Sequence, residues 1–137
     1  MKGENDPIVE AKEYSKLLED KLPIVNGNPQ FNFVLLGLGE DGHTASIFPN
    51  QIELFNSPNN CDVAVHPISG QKRITITGNV INNAETVAII AIGKSKADRV
   101  YEIINQTEVA KNYPASLVKT LNGKVNWFLD VESSGRL

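Results

Sequence analysis

The chain has 137 residues, 41% hydrophobic and 21% charged, with 13 basic against 16 acidic side chains and a net charge of −3. That size and balance suit one domain around a single core, spanning residues 1–137, and no basic block points to nucleic acid. Apolar runs are only a few residues long, which argues against a membrane span or a signal peptide. Cys61, the sole cysteine, excludes an intrachain disulfide and a Cys-rich zinc site. The cytoplasm is the expected compartment, and Asn105-Gln106-Thr107 is read as a chance match to a glycosylation sequon.

In chain order, Asp6-Pro7 opens a helix, since Asp6 can cap it and Pro7 suits a first helical position that needs no N–H. Ile8, Ala11, Tyr14, Leu18 and Leu22 then share one helical face. Pro23 and Asn26-Gly27-Asn28-Pro29 end the helix and turn the chain. The run Phe31 to Leu36, closing at Gly37, reads as a buried parallel strand. Asn50 to Asp62 is polar and is expected as a surface loop. Short strands follow at Asp62–Val65 and Arg73–Thr77, with a helical turn or two over Asn79–Ala84. Thr86 to Ile92 is the strongest strand signal and leads through Gly93 into a helix from about Ser95 to Asn105. Pro114–Val118 is a short helix candidate, and Val125–Leu129 a last strand. Apolar strands alternating with helices predict an α/β fold: helices layered on a mostly parallel sheet.

The chemistry concentrates between Leu35 and Pro49, in Leu-Leu-Gly-Leu-Gly-Glu-Asp-Gly-His-Thr-Ala-Ser-Ile-Phe-Pro. A buried strand empties into a loop with three glycines, and the crevice beyond a strand's carboxyl end is where ligands bind in open α/β sheets. His43, near a helical start, would tend to stay neutral and act as a base, and Asp41 could orient its imidazole or hold a water. By spacing alone other readings stay open. Gly42 sits where the third glycine of a dinucleotide-binding turn belongs, which admits a nicotinamide-dependent dehydrogenase, yet no acidic residue follows at a strand end about 20 residues on. A lone histidine after a glycine loop is more often structural or merely exposed than catalytic. One His and one Asp are too few to predict a metal.

The run from Leu36 to Pro49 closely resembles the signature of 6-phosphogluconolactonases, and further blocks agree in order. Arg73-Ile74-Thr75-Ile76-Thr77 resembles the family's Arg-Ile-Thr-Leu-Thr segment, Gly93-Lys94-Ser95-Lys96-Ala97 its Gly-x-x-Lys-Ala turn, and Pro114-Ala115-Ser116 with Trp127-Phe128-Leu129-Asp130 its closing segment. Asn5-Asp6-Pro7 before an Ala-Glu-Tyr helix also fits. The resemblance implies a three-layer, Rossmann-like sheet of the sugar-phosphate isomerase/lactonase type and hydrolysis of 6-phosphogluconolactone, with a sugar-phosphate lactone as partner. It implies no cofactor, nucleic acid or membrane. His43 is then the base that deprotonates water and afterwards protonates the ring oxygen. Asp41 orients it, and Gly39 and Gly42 offer N–H groups to polarise the carbonyl. Arg73 and Lys96 meet the phosphate, with Lys94 as a nearby alternative.

Two features of the family are absent: an upstream Gly-rich phosphate loop and an Asp-Glu-Arg segment. The expectation is therefore a C-terminal portion, lacking the early strands and exposing an edge and an apolar face. Glucosamine-6-phosphate deaminases share the Asp-Gly-His motif, but where they place a catalytic glutamate this chain has Phe48, which cannot do acid–base work. A sugar-phosphate-binding fragment without turnover is the non-enzymatic alternative. Trp127, Tyr101, Ile103 and Ile104 are read as core, and His66 and Cys61 receive no role.

Overall fold

The structure, a computed structural model, describes residues 1–121 and 124–137. Helix α1 spans Pro7–Lys21. Asp6 caps it as expected, its carboxylate accepting the N–H groups of Ile8 and Val9 at 3.0 and 3.1 Å. Ala11 and Leu18 are buried and pack with Cys61. Ile8 departs from the expected apolar face: it is exposed. Glu10 is buried in its place, accepting bonds from Lys2 N–H at 2.7 Å and Asn5 Nδ2 at 2.9 Å, because the first residues fold back over the helix start.

Strands β1 (Ile24–Val25) and β2 (Asn28–Pro29) form a small antiparallel hairpin. Its two turn residues, Asn26 and Gly27, both have positive φ, 52° and 79°, as a two-residue hairpin turn of the primed type requires. Strand β3 covers Phe33–Gly37. The Asn50–Asp62 stretch is more ordered than a surface loop. A 3-10 segment runs from Pro49 to Asn56 and buries Phe55, and β4 begins at Cys61. An aromatic side chain that can reach the core pulled this polar stretch inward.

Strands β4 (Cys61–Val65) and β5 (Lys72–Ile76) pair antiparallel as a separate hairpin against α1. Helix α2 (Gly78–Asn83) leads to β6 (Thr86–Ala91), and helix α3 (Ala97–Ile104) follows a 3-10 turn at Lys94–Lys96. Strand β7 is Val125–Leu129. The parallel sheet has the order β3-β6-β7. Helices, including the expected one at Pro114, are 3-10 over Glu108–Asn112 and Pro114–Leu117.

Successive strand residues point to opposite faces, and here the two faces fare differently. Val34, Leu36, Val87, Ile89 and Ala91 turn toward Ile81, Val100 and Ile103 in the main core. Phe33, Leu35 and Phe128 point the other way and are exposed at 55%, 58% and 58%. An apolar sheet face left open like this is a surface that seeks a cover. Among the described residues no helix is long and apolar enough to cross a membrane.

The C-terminal ends of β6 and β7 are tied by Asp130. Its carboxylate accepts Gly93 N–H at 3.0 Å and Ser133 N–H at 2.8 Å, while Ser133 Oγ donates to Ala91 O at 2.8 Å. The Ser133 and Gly93 donors hold the Asp130 carboxyl below the usual carboxylate range. A depressed acid contributes stability that is present above its unfolded value of about 3.9 and is lost as pH falls through the folded value. Asp130→Asn should therefore lower the melting temperature at neutral pH, with the gap to wild type narrowing as pH falls below the unfolded value of about 3.9. A gap that stayed constant across a pH series of thermal melts would contradict this.

Candidate active site

The loop after β3 is held by its own short-range bonds. Gly39 N–H donates to His43 O at 2.8 Å and Gly42 N–H to Gly39 O at 3.1 Å. Fully buried Thr44 donates from Oγ1 to Gly37 O at 2.9 Å, which folds the loop back on the strand it left. Ala45 has a φ of +51°, a left-handed conformation that a non-glycine residue adopts only at a cost. Ser46 N–H reaches Thr75 Oγ1 on β5 at 3.2 Å. No helix begins at His43; helical turns start only at Pro49. The glycine spacing of a dinucleotide-binding turn is thus not followed by the helix whose N-terminus would receive the pyrophosphate.

Within this loop Asp41 and His43 meet. Asp41 Oδ1 lies 2.6 Å from His43 Nδ1 and accepts the His43 backbone N–H at 3.1 Å. Burial pushes the Asp41 carboxyl up, but the backbone N–H and ring of His43 outweigh it and hold the group below its ordinary value. An ionised carboxylate only accepts hydrogen bonds, so Nδ1 carries the proton of the neutral ring. Nε2 is left as the basic nitrogen, and the His43 side chain is 30% exposed.

Gly39 has no room for a side chain, since a Cβ would sit 2.1 Å from His43 Nδ1. Gly42 has a φ of +86°, and a Cβ there would come within 2.5 Å of the Tyr113 ring. Gly42→Ala is expected to destabilise the fold by roughly 1–3 kcal/mol; an unchanged urea midpoint would count against that close approach. Both glycine N–H groups, expected as carbonyl-polarising donors, are bonded inside the loop in this conformation.

A cleft of about 300 Å³ at the carboxyl end of β3 is lined by Gly39, His43, Ala45 and Lys96, among others. Lys96 and His43, 53 residues apart in the chain, therefore face one space. Arg73 does not line it and stands to one side. Its guanidinium carbon is 5.9 Å from the centre of the Phe48 ring, and its Nε donates to Gln71 at 3.3 Å. Phe48 is 1% exposed; His43 packs 4.8 Å from its ring centre, and His66 meets it edge-on at 5.2 Å. His66, given no role from sequence, is thus close to the site. No local signal could have placed it there, because the β4–β5 pairing brings it in. A larger groove of about 600 Å³ between α1 and residues 58–63 contains none of these residues.

Residues 1–127 match the family described as glucosamine-6-phosphate isomerases/6-phosphogluconolactonase. The chain is similar to 6-phosphogluconolactonase of Treponema pallidum, 46% identical over 98 residues, covering 72% of this chain and 41% of the relative. It is similar as well to that of Haemophilus influenzae, 42% identical over 132 residues, covering 95% of this chain and 54% of the relative. Its fold superposes on a crystal structure of a devB protein with a TM-score of 0.92 at 36% identity, over 98% of this chain and 56% of that one. The chain spans about half the length of the relatives it matches. With the match running through the Asp41–His43 loop, the Lys96 turn and the sheet that carries both, the chain belongs to the glucosamine-6-phosphate isomerase/6-phosphogluconolactonase family.

Proposed function

We propose that this chain carries the catalytic loop of a 6-phosphogluconolactonase, with His43 as the general base. The observation that carries the reading is the 2.6 Å contact between Asp41 and His43 Nδ1, which leaves Nε2 as a lone-pair base on the cleft shared with Lys96. In the proposed reaction Nε2 takes a proton from water as its oxygen bonds to the lactone carbonyl carbon. The tetrahedral intermediate then collapses, the ring carbon–oxygen bond breaks, and the imidazolium returns the proton to the departing ring oxygen. The product is an open-chain hydroxy acid. Lys96 supplies a positive charge for the substrate's phosphate, and Arg73 a second one from the flank.

Lactonase is favoured over deaminase by Phe48. Its side chain lies at 1% exposure in the core, so the position can supply no carboxylate to a ring-opening step. The likeness to a monomeric glucosamine-6-phosphate deaminase, 19% identical with a TM-score of 0.69, concerns the fold alone.

The reading includes the cover for the open sheet face. Phe33, Leu35 and Phe128 are exposed together, and the relatives are about twice as long as the matched region. Full activity is proposed to need the remaining part of the family fold on that face. The test is a lactonase assay of the chain alone and of a fusion to the part of the Haemophilus influenzae relative that it does not match. Hydrolysis by the fusion above the spontaneous rate is expected, with little from the chain alone. A fusion that folds but stays at the spontaneous rate, beside an active parent enzyme, would reject the reading.

A further inference from the structure

The loop that presents His43 is gripped from outside by residues that no sequence motif marks. Arg99 lies on α3, one turn beyond Lys96. Its Nε donates to the Glu40 carbonyl at 3.0 Å, a contact between residues 59 positions apart. Its guanidinium also pairs with the Glu102 carboxylate and lies over the Tyr113 ring, 4.9 Å from its centre. Tyr113 donates its hydroxyl to the same Glu102 oxygen at 3.0 Å. Burial, and then that bond to Glu102, push the Tyr113 hydroxyl above its ordinary value, so it stays a donor. The Tyr113 side chain closes directly on Gly42, and Ala115 N–H holds the Gly42 carbonyl at 3.1 Å.

Glu40 and Gly42 are the two residues that flank Asp41. One is held by Arg99 and the other by Tyr113 and Ala115, while Glu102 joins Arg99 to Tyr113. We propose that Arg99 is a positioning residue, which through Glu102 and Tyr113 fixes the backbone on both sides of Asp41 and so sets the orientation of the His43 imidazole. The 3-10 turn that leads directly into this helix carries Lys96 to the cleft, so one continuous segment supports both the charge proposed for the phosphate and the loop that holds the base. A plain Arg–Glu pair three residues apart on a helix surface contributes little. This one differs because the guanidinium is forked: its planar donors reach a carboxylate on its own helix and a carbonyl on the loop at once. A lysine lacks that fixed fork, its donors converging on one point charge at the end of a flexible stem.

The consequence for rate rests on the lactonase reading above; the consequence for the loop does not. Two readouts keep them apart. The first is nitrogen NMR of the His43 ring in Arg99→Met, Arg99→Lys and Tyr113→Phe, with Arg136→Met as control. Arg136 pairs with Asp98 and stacks on Tyr101 of the same helix without touching the loop. The expected result is that both Arg99 variants move the Nδ1 signal away from its carboxylate-bonded position, Tyr113→Phe moves it less, and Arg136→Met leaves it in place. The second is steady-state lactonase kinetics in the fusion, where kcat is expected to fall about tenfold in both Arg99 variants with KM within about twofold, as misalignment of a catalytic group predicts. Should Arg99→Met fail to fold, Arg99→Lys and Tyr113→Phe carry the same test. Folded Arg99 variants with an unchanged His43 signal overturn the proposal whether or not the fusion is active. A shifted signal in a fusion that shows no lactonase activity supports the positioning and rejects only the reaction.

Discussion

His43→Ala is expected to lower kcat for lactone hydrolysis by roughly 10²–10⁴-fold, the usual contribution of a positioned general base. The variant should fold normally, because the His43 side chain is only partly buried. The assay must subtract spontaneous hydrolysis, and it belongs in the fusion proposed above, or in the chain alone if that proves active. KM should change much less than kcat, since Lys96 and Arg73, the charges proposed for the phosphate, are untouched. Asp41→Asn should give a smaller loss. An amide can still cap the His43 N–H with its oxygen, but it no longer holds a charge beside the imidazolium that forms during the reaction. A His43→Ala protein that retains the wild-type rate would remove His43 from the mechanism, and with it the role assigned to Asp41.

Phe48→Ala should be among the most destabilising single changes in the chain, costing about 3–5 kcal/mol. The side chain is essentially inaccessible at 1% exposure, and three groups of the site rest on its ring: His43, His66 and the Arg73 guanidinium. Truncation removes the transfer free energy of the ring and leaves a cavity that the loop, pinned by Thr44 and Ser46, cannot readily fill. Phe48→Leu should cost less, because most of the volume is kept. Urea unfolding followed by fluorescence of Trp127 measures both. A Phe48→Ala midpoint within experimental error of wild type would mean that the ring is not the support on which the site is built.

Much of the architecture was legible because its causes are local. Asp6 and Pro7 specify a helix start by supplying the bonds and dihedral that a first turn needs. The runs from Phe31 to Leu36 and from Thr86 to Ile92 announce strands through continuous apolar character, and the glycines at 39 and 42 announce a loop whose backbone can make close approaches. Tyr113 and His43 turned out to be what crowds them. The Asp41–His43 pair was legible for the same reason, since two residues on one tight loop have few ways to avoid each other.

Where the reading departed from the structure, long-range packing decided. Ile8 obeys the helical period yet is exposed, because the N-terminal residues place Glu10 inward and bond it. Asn50 to Asp62 looks polar enough for a loop, but Phe55 finds the core and draws a helical segment with it. The β4–β5 hairpin stands apart from the parallel sheet, and that pairing brings His66 and Arg73 to the Phe48 ring.

By itself the sequence determined the first helix and the main strands, the loop that presents Asp41 and His43, and a resemblance strong enough to name the chemistry. Only the tertiary structure decided that Lys96 shares the cleft with His43 while Arg73 stands to one side, that Arg99 and Tyr113 brace the loop, and that one face of the sheet lies open. The physical reason is the range of the forces involved. Caps, turns and strand periodicity act over a few residues and leave their mark in the letters, whereas a guanidinium reaching a carbonyl 59 residues away exists only once the chain has folded.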